Sequence, residues 1–210
     1  GLVLGTGGNL YGTTSAGGAG GAGTIFRVST AGALATLYQF SARDTDGRNA
    51  DGANPLGKLA QAADGSFIGT TRFGGNTAGT IFRITPSGAF SVLYTFPARS
   101  AEDTNDAGAS PVAGLVIAND GNYYGVAQRG GAHKGGTVFK VTPSGTYSVH
   151  HTFSSYETAS NTDGALPSTP LMQATDGYLY GTTSHAGPAG SGTVFRISTS
   201  GVFEALHGFN

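Results

Sequence analysis

The sequence predicts an all-β protein, a β-propeller of four four-stranded antiparallel blades, on three observations. The first is a period. Gly12, Gly69, Gly125 and Gly181 head copies of one pattern at intervals of 57, 56 and 56 residues, and Phe26, Phe82, Phe139 and Phe195 mark a second column at 56, 57 and 56. A fixed period of this length means one supersecondary unit stacked on copies of itself. The second is composition: 37 of 210 residues are Gly and only 11% are charged, with no collagen-like period of three, which points to many short strands joined by Gly-rich turns. The third is that each copy holds four short apolar stretches bounded by turn residues, the layout of propeller blades packed face to face around an axis.

In the first copy, residues 2–4 are apolar, GTGGN turns into residues 10–15, a Gly-rich loop leads to residues 24–28, STAG turns, and residues 34–40 close the unit. The other copies keep this order, beginning near Leu59, Leu115 and Leu171. Between strands one and two stand Asp64-Gly65, Asp120-Gly121 and Asp176-Gly177, and Asp-Gly supplies the positive φ angles that tight hairpins require. Between strands three and four stands TPSG, at residues 85–88 and 142–145, where Pro sets the first corner and Gly the left-handed position. Both connections are therefore predicted to be tight hairpins. The remaining connections are predicted to be long and irregular: residues 16–23, 72–79, 129–136 and 185–192 within the copies, and 41–55, 97–111 and 154–167 between them. In an up-and-down sheet the connections after strands two and four emerge at one end, so all the long loops should crowd one rim. The whole chain, 1–210, reads as a single repeat domain with approximate repeats 1–55, 56–111, 112–167 and 168–210. Radial closure hides sheet edges, and an open segment of a larger propeller, completed by further repeats or a second chain, is the alternative.

The arrangement DGYLYGTTSHAG, then GSGTVFRISTSG, then an inter-repeat DGANP or DGALP resembles the GloVer-type tandem repeats of exported bacterial surface proteins, over essentially the whole chain. Kelch-like propellers are similar only in layout. The resemblance implies an extracellular or surface-attached repeat protein and supplies no catalytic residues. Copy one departs from the pattern with Gly7-Gly8 in place of Asp-Gly, copy three with Gly125-Val126-Ala127 in place of GTT and with His150-His151 in place of Leu-Tyr.

A net charge of -1 provides no basic field for nucleic acid or anionic membrane, and no apolar run approaches the ~20 residues of a membrane span. The absence of Cys excludes disulfides and thiolate metal sites. Charge concentrates on the long loops: Asp44, Asp46, Asp51, Glu102, Asp103, Asp106, Glu157 and Asp163 lie between copies, and Arg43, Arg48, Arg72, Arg99, Arg129 and Lys134 lie on the same side. Function tends to reside on loops held by a rigid frame. That rim is the candidate binding surface, with Arg72, Phe73, Arg129, His133, Tyr156 and His185 as candidate ligand contacts. Phe73 and Tyr156 are the aromatics off the repeating columns; each is either a platform for a sugar ring or a ring folded beneath its own loop. Asp44, Asp46 and Asp51 form a carboxylate loop suited to Ca²⁺, although Pro55 stands where an EF-hand needs its bidentate Glu. No other cofactor is expected. The stretch Gly18 to Gly23 matches G-x-G-x-x-G but leads into a strand, not a helix that could hold a pyrophosphate.

Three functional classes follow. The leading one is a secreted or surface-attached propeller binding carbohydrate or another extracellular partner. The second is a polysaccharide-degrading hydrolase or lyase, for which two carboxylates ~5–10 Å apart would have to come from the connectors. The third is a self-associating structural repeat protein, compatible with low charge and abundant Gly.

Overall fold

A computed structural model describes residues 1–158 and 160–210, and these contain strands and no helix. Blade 1 comprises Leu2–Leu4, Leu10–Thr14, Thr24–Val28 and Leu34–Gln39; blade 2 comprises Ala60–Gln61, Phe67–Thr71, Thr80–Ile84 and Phe90–Thr95. Blade 3 comprises Val116–Ile117, Tyr123–Ala127, Thr137–Val141 and Tyr147–Thr152; blade 4 comprises Met172–Gln173, Leu179–His185, Thr193–Ile197 and Phe203–Gly208. Within each blade the strands pair antiparallel in chain order. The tight turns are as predicted, with Gly65, Gly88, Gly121, Gly145 and Gly177 all at positive φ.

The two founding sequence columns are one packing device. The third-strand Phe lies across the second-strand Gly: a Cβ on Gly125 would stand 2.7 Å from Phe139 Cζ and 2.5 Å from Leu115 Cδ2, and one on Gly181 2.5 Å from Phe195 Cζ. Only Gly leaves room for the ring. The fourth strand carries a bulge in every blade, between Phe26 and Ile25, Val92 and Tyr94, Val138 and Phe139, and Val194 and Phe195 along the ladders. A bulge lets two consecutive residues serve one face. Leu37 with Tyr38, and Leu93 with Tyr94, accordingly pack against the same core cluster.

Three cores lie between blades. Tyr11, Ile25 and Phe40 of the blade 1 repeat meet Leu59, Phe67 and Phe82 of blade 2; Ile68, Ile81 and Phe96 meet Leu115, Tyr123 and Phe139; Tyr124, Val138 and Phe153 meet Leu171, Leu179 and Phe195. Every blade thus has a leading face, toward its predecessor, and a trailing face, toward its successor. The ring is not closed. The leading face of blade 1 and the trailing face of blade 4 are uncovered, with Leu2, Leu34, Leu206 and Phe209 exposed, as in an open segment.

The long connections are more ordered than predicted. Asn49–Ala53 pairs with Phe73–Gly75, Asn105–Ala109 with Arg129–Gly131, and Ala165–Pro167 with the end of Leu179–His185. Each inter-blade connector therefore zips onto the loop after strand two of the next blade, which fixes both at one rim.

Candidate functional site

The rim is held by a device used three times. Asn49 Nδ2 donates to the carbonyls of Ser41 and Gly52, each at 2.8 Å, while its Oδ1 accepts from the N–H groups of Gly52 at 3.0 Å and Gly75 at 3.1 Å. Asn105 repeats this with Pro97, Gly108 and Gly131, and Asn161 with Ser155, Gly164 and Gly187. The side-chain amide thus does locally what a strand ladder would do. Next along the chain stand Asn54, Ser110 and Leu166, all near φ +55 to +59 ahead of a Pro. This left-handed turn aims their N–H groups backward at Ala22, Ala78 and Gly135, each at 2.8 Å, tying the connector to the preceding blade.

On this frame two clusters of predicted residues appear. At the first seam, the Arg72 and Arg43 guanidinium carbons stand 4.7 and 5.4 Å from the centre of the Phe73 ring, and Arg43 and Phe73, with Asp44, Asn54 and Ser15, line a cavity of about 590 Å³. Among the described residues neither arginine has a carboxylate partner, and Arg72 Nε is buried without an acceptor. Phe73 is partly buried and packs on the core between blades 1 and 2. At the second cluster, Arg129 stands 5.7 Å from the Tyr156 ring centre and 3.9 Å from Asp103, which also pairs with Arg99. Tyr156 itself packs on Ala165, Leu166 and Ala186. Lys134 meets Glu157 at 3.1 Å, which raises the lysine above its ordinary value. His133 is exposed on the blade 3 loop, and His185 is exposed on that of blade 4, where Nδ1 shares a hydrogen bond with the Ser184 hydroxyl at 2.9 Å. The six predicted contacts therefore share one rim without forming one pocket.

The register also shows that Phe73, Arg129 and His185 are one position in three blades, facing Ala53, Ala109 and Ala165. That column stands four residues after the founding Gly in each of these copies, but three unlike residue types, an aromatic, a guanidinium and an imidazole, disguised it in the sequence. Arg43 was missed as a partner of Phe73 because 30 residues separate them; only the connector's pairing brings them together.

The proposed Ca²⁺ ligands are not gathered. Asp51 is buried and accepts from the Tyr38 hydroxyl at 2.9 Å and from Ser41, burial and this bond pushing Tyr38 up to about 12. Asp44 Oδ1 caps its own turn through the N–H groups of Asp46 and Arg48, and Asp46 points to Arg48 at 4.0 Å. Among the described residues no group of three or more His, Asp or Glu could hold a metal. At the third seam Asp163 replaces Asp51 and accepts from His151 at 3.0 Å and from the Ser154 N–H at 3.1 Å; burial opposes its charge, but these bonds prevail and hold it below the usual carboxylate range. Three of the strand-three cations pair within their own blades, Arg83 with Asp64, Lys140 with Asp120 and Arg196 with Glu204.

The geometry of repeated blades with clamped connectors is matched at the sequence level. The model of the Gloeobacter/Verrucomicrobia repeat fits the chain twice, over residues 1–162 and 48–210. The chain belongs to this repeat family. The two matches overlap as expected for a unit that recurs every blade. A comparison with curated proteins found no match. Among solved structures, the fold is similar to the extracellular domain of a hybrid two-component system from B. thetaiotaomicron (TM-score 0.56, 12% identity, 98% of this chain and 22% of that one). It is similar also to a luciferin-regenerating enzyme (0.55, 15%, 94% and 60%) and to an exo-β-1,3-galactanase from Clostridium thermocellum (0.52, 14%, 98% and 47%). At these identities the likeness is one of fold. The repeat chain spans between about a fifth and three-fifths of these proteins' lengths. No helix among the described residues is long and apolar enough to cross a membrane.

Proposed function

We propose that the chain is part of an exported or surface-attached protein whose long-loop rim binds carbohydrate, and that the cavity lined by Arg43 and Phe73, with Arg72 against the same ring, is the principal subsite for a sugar bearing a carboxylate. The observation that carries this reading is the pair of guanidinium groups beside an aromatic ring without carboxylate partners in the described residues. An aromatic ring offers apolar contact to a sugar face, and a guanidinium fork matches a carboxylate in two hydrogen bonds. Arg72 Nε, desolvated and without an acceptor, is the kind of group an anionic ligand would satisfy. The cavity volume lies in the range of small-molecule sites. The use of this fold in a galactanase and in the extracellular domain of a hybrid two-component system supports the reading.

The test is calorimetric titration with oligogalacturonate and with a neutral oligosaccharide of the same length. Saturable binding of the uronate, weakened about tenfold or more by Phe73→Ala or Arg72→Ala, is expected from the loss of one stacking or charge-assisted contact of ~1.5–3 kcal/mol. Equal binding of both sugars by the variants and the parent, or binding of neither by the parent, removes the subsite.

A further inference from the structure

We infer that the cavity at the seam of blades 2 and 3 is a second binding site, for a small carboxylic acid with an aromatic or apolar body, whose carboxylate sits where the other two seams hold an aspartate of the chain. The inference starts from a comparison of the three seams. At the first, Asp51 accepts from the Tyr38 hydroxyl at 2.9 Å, from the Ser41 N–H at 2.8 Å and from the Ser41 hydroxyl. At the third, Asp163 accepts from His151 at 3.0 Å and from the Ser154 N–H at 3.1 Å. Tyr38 and His151 are also the rings that stack flat on the next blade, on Phe90 and Phe203, at 3.8 and 3.7 Å between ring centres. A buried carboxylate beside a stacked pair is thus the ordinary furnishing of a seam.

The second seam keeps the stack and lacks the carboxylate. Tyr94 lies 3.9 Å from Tyr147, but Ala107 stands where Asp51 and Asp163 stand, and Pro97, with no N–H to donate, stands where Ser41 and Ser154 do. The Tyr147 hydroxyl, which Phe90 and Phe203 do not have, donates to the Ala107 carbonyl. The Tyr94 hydroxyl, counterpart of the one that Tyr38 gives to Asp51, makes no hydrogen bond among the described residues. At this place a cavity of about 740 Å³ opens, walled by Tyr94, Pro97, Arg99, Asp106, Ala107 and Tyr147, in the size range of small-molecule sites. The positions that hold a carboxylate at the other seams here line a space that a ligand can enter.

The chemistry of the walls selects the ligand. A carboxylate accepts from the Tyr94 hydroxyl as Asp51 does from Tyr38, in a charge-assisted bond, and the tyrosine rings with Pro97 and Ala107 give apolar surface to its body. Burial raises Tyr94 above its ordinary value, so the hydroxyl keeps the proton it donates. The neighbouring charges do not repel an anion: Arg99 and Arg129 share the single carboxylate of Asp103, and the positive charge left over offsets Asp106.

Chemical-shift titration of the 210-residue chain with benzoate tests this, with benzyl alcohol and benzylamine as probes that keep the ring and lack the carboxylate. Benzoate should move the Tyr94, Ala107 and Tyr147 signals saturably and bind about tenfold more tightly than benzyl alcohol, the scale of one hydrogen bond to a charged group. Tyr94→Phe keeps the stacked ring, removes the donor and should weaken benzoate by about the same factor. Ala107→Asp supplies the carboxylate from the chain itself and should abolish benzoate binding; if it does not fold, Tyr94→Phe decides alone. Arg72→Ala should leave benzoate binding unchanged, which separates this site from the cavity at the first seam. Absence of saturable shifts at the three residues overturns the inference. So does benzyl alcohol or benzylamine bound as tightly as benzoate, or a Tyr94→Phe variant that binds benzoate like the parent.

Discussion

The seam between blades 2 and 3 and the bare face of blade 1 are built from the same residue columns, yet one is a sealed core and the other meets solvent. Phe139 is fully buried where Phe26 is half-buried, and Tyr147 is covered by Tyr94 where Leu34 is open. Burial in this molecule is therefore conferred by the neighbouring blade and not by a residue's own strand. Stability should behave as a sum of blade and seam contributions, as it does in stacked repeats.

The largest expected effect contrasts the two members of one column. Phe139→Ala empties a buried ring site and should cost about 3–5 kcal/mol. Phe26→Ala removes a ring with one side already in water and should cost about 1 kcal/mol, roughly half the transfer energy of a buried side chain. Urea unfolding of both variants measures the difference. Equal losses would mean that the blades do not depend on their neighbours.

The next effect lies in the clamp that internal seams have and the ends lack. Asn105→Ala leaves the N–H groups of Gly108 and Gly131 without their acceptor and should cost about 2–3 kcal/mol. Asn105→Asp keeps the acceptor and loses the two donated bonds, so its melting temperature should fall between those of the parent and the Ala variant. If Ala and Asp are equivalent, the acceptor is not what holds the connector.

The period, the Asp-Gly and TPSG hairpins and the grouping of long loops at one rim were all legible in the sequence because each rests on local chemistry or on strand parity. The clamp was not. NADG, NDAG and NTDG look like ordinary turns, since Asn and Gly favour turns, and nothing local says that Asn105 reaches Gly131 across 26 residues. The division into leading and trailing faces was also hidden: a blade buried on both sides shows no alternation of polar and apolar residues, so Ile81 and Phe82, on opposite faces, are equally apolar. At the site, Phe73 and Tyr156 were recognisable as aromatics outside the repeating columns. Their neighbours were not, because Arg43 comes from a connector whose pairing is itself non-local.

Acid separates the seams from one another. At the connector position where Asp163 serves the seam of blades 3 and 4, the seam of blades 2 and 3 has Ala107. Asp163 is held below its ordinary value in the folded chain, so its bonds to His151 and Ser154 stabilise fully above the unfolded carboxylate range and are lost as pH falls through the lowered folded value. Thermal melts between pH 7 and pH 3 should show a steeper decline for the parent than for Asp163→Asn, which cannot titrate. Parallel declines would place the acid sensitivity elsewhere.

The smallest expected effect discriminates most sharply between open and closed arrays. Leu34, 68% exposed, has only solvent where Phe90 has Tyr38. Leu34→Ser should change the stability of the dilute single chain by no more than about 0.5 kcal/mol, the usual range for a surface substitution. Phe90→Ser, which breaks a stacked pair packed against a core, should cost several times more. Were Leu34→Ser to cost as much as Phe90→Ser in dilute solution, the leading face of blade 1 would have to be packed within one chain. Among the described residues, the partner built from the matching columns is the trailing face of blade 4. Such a result would mean that four blades close on themselves, and a near-zero result means that blade 1 does not pack against blade 4.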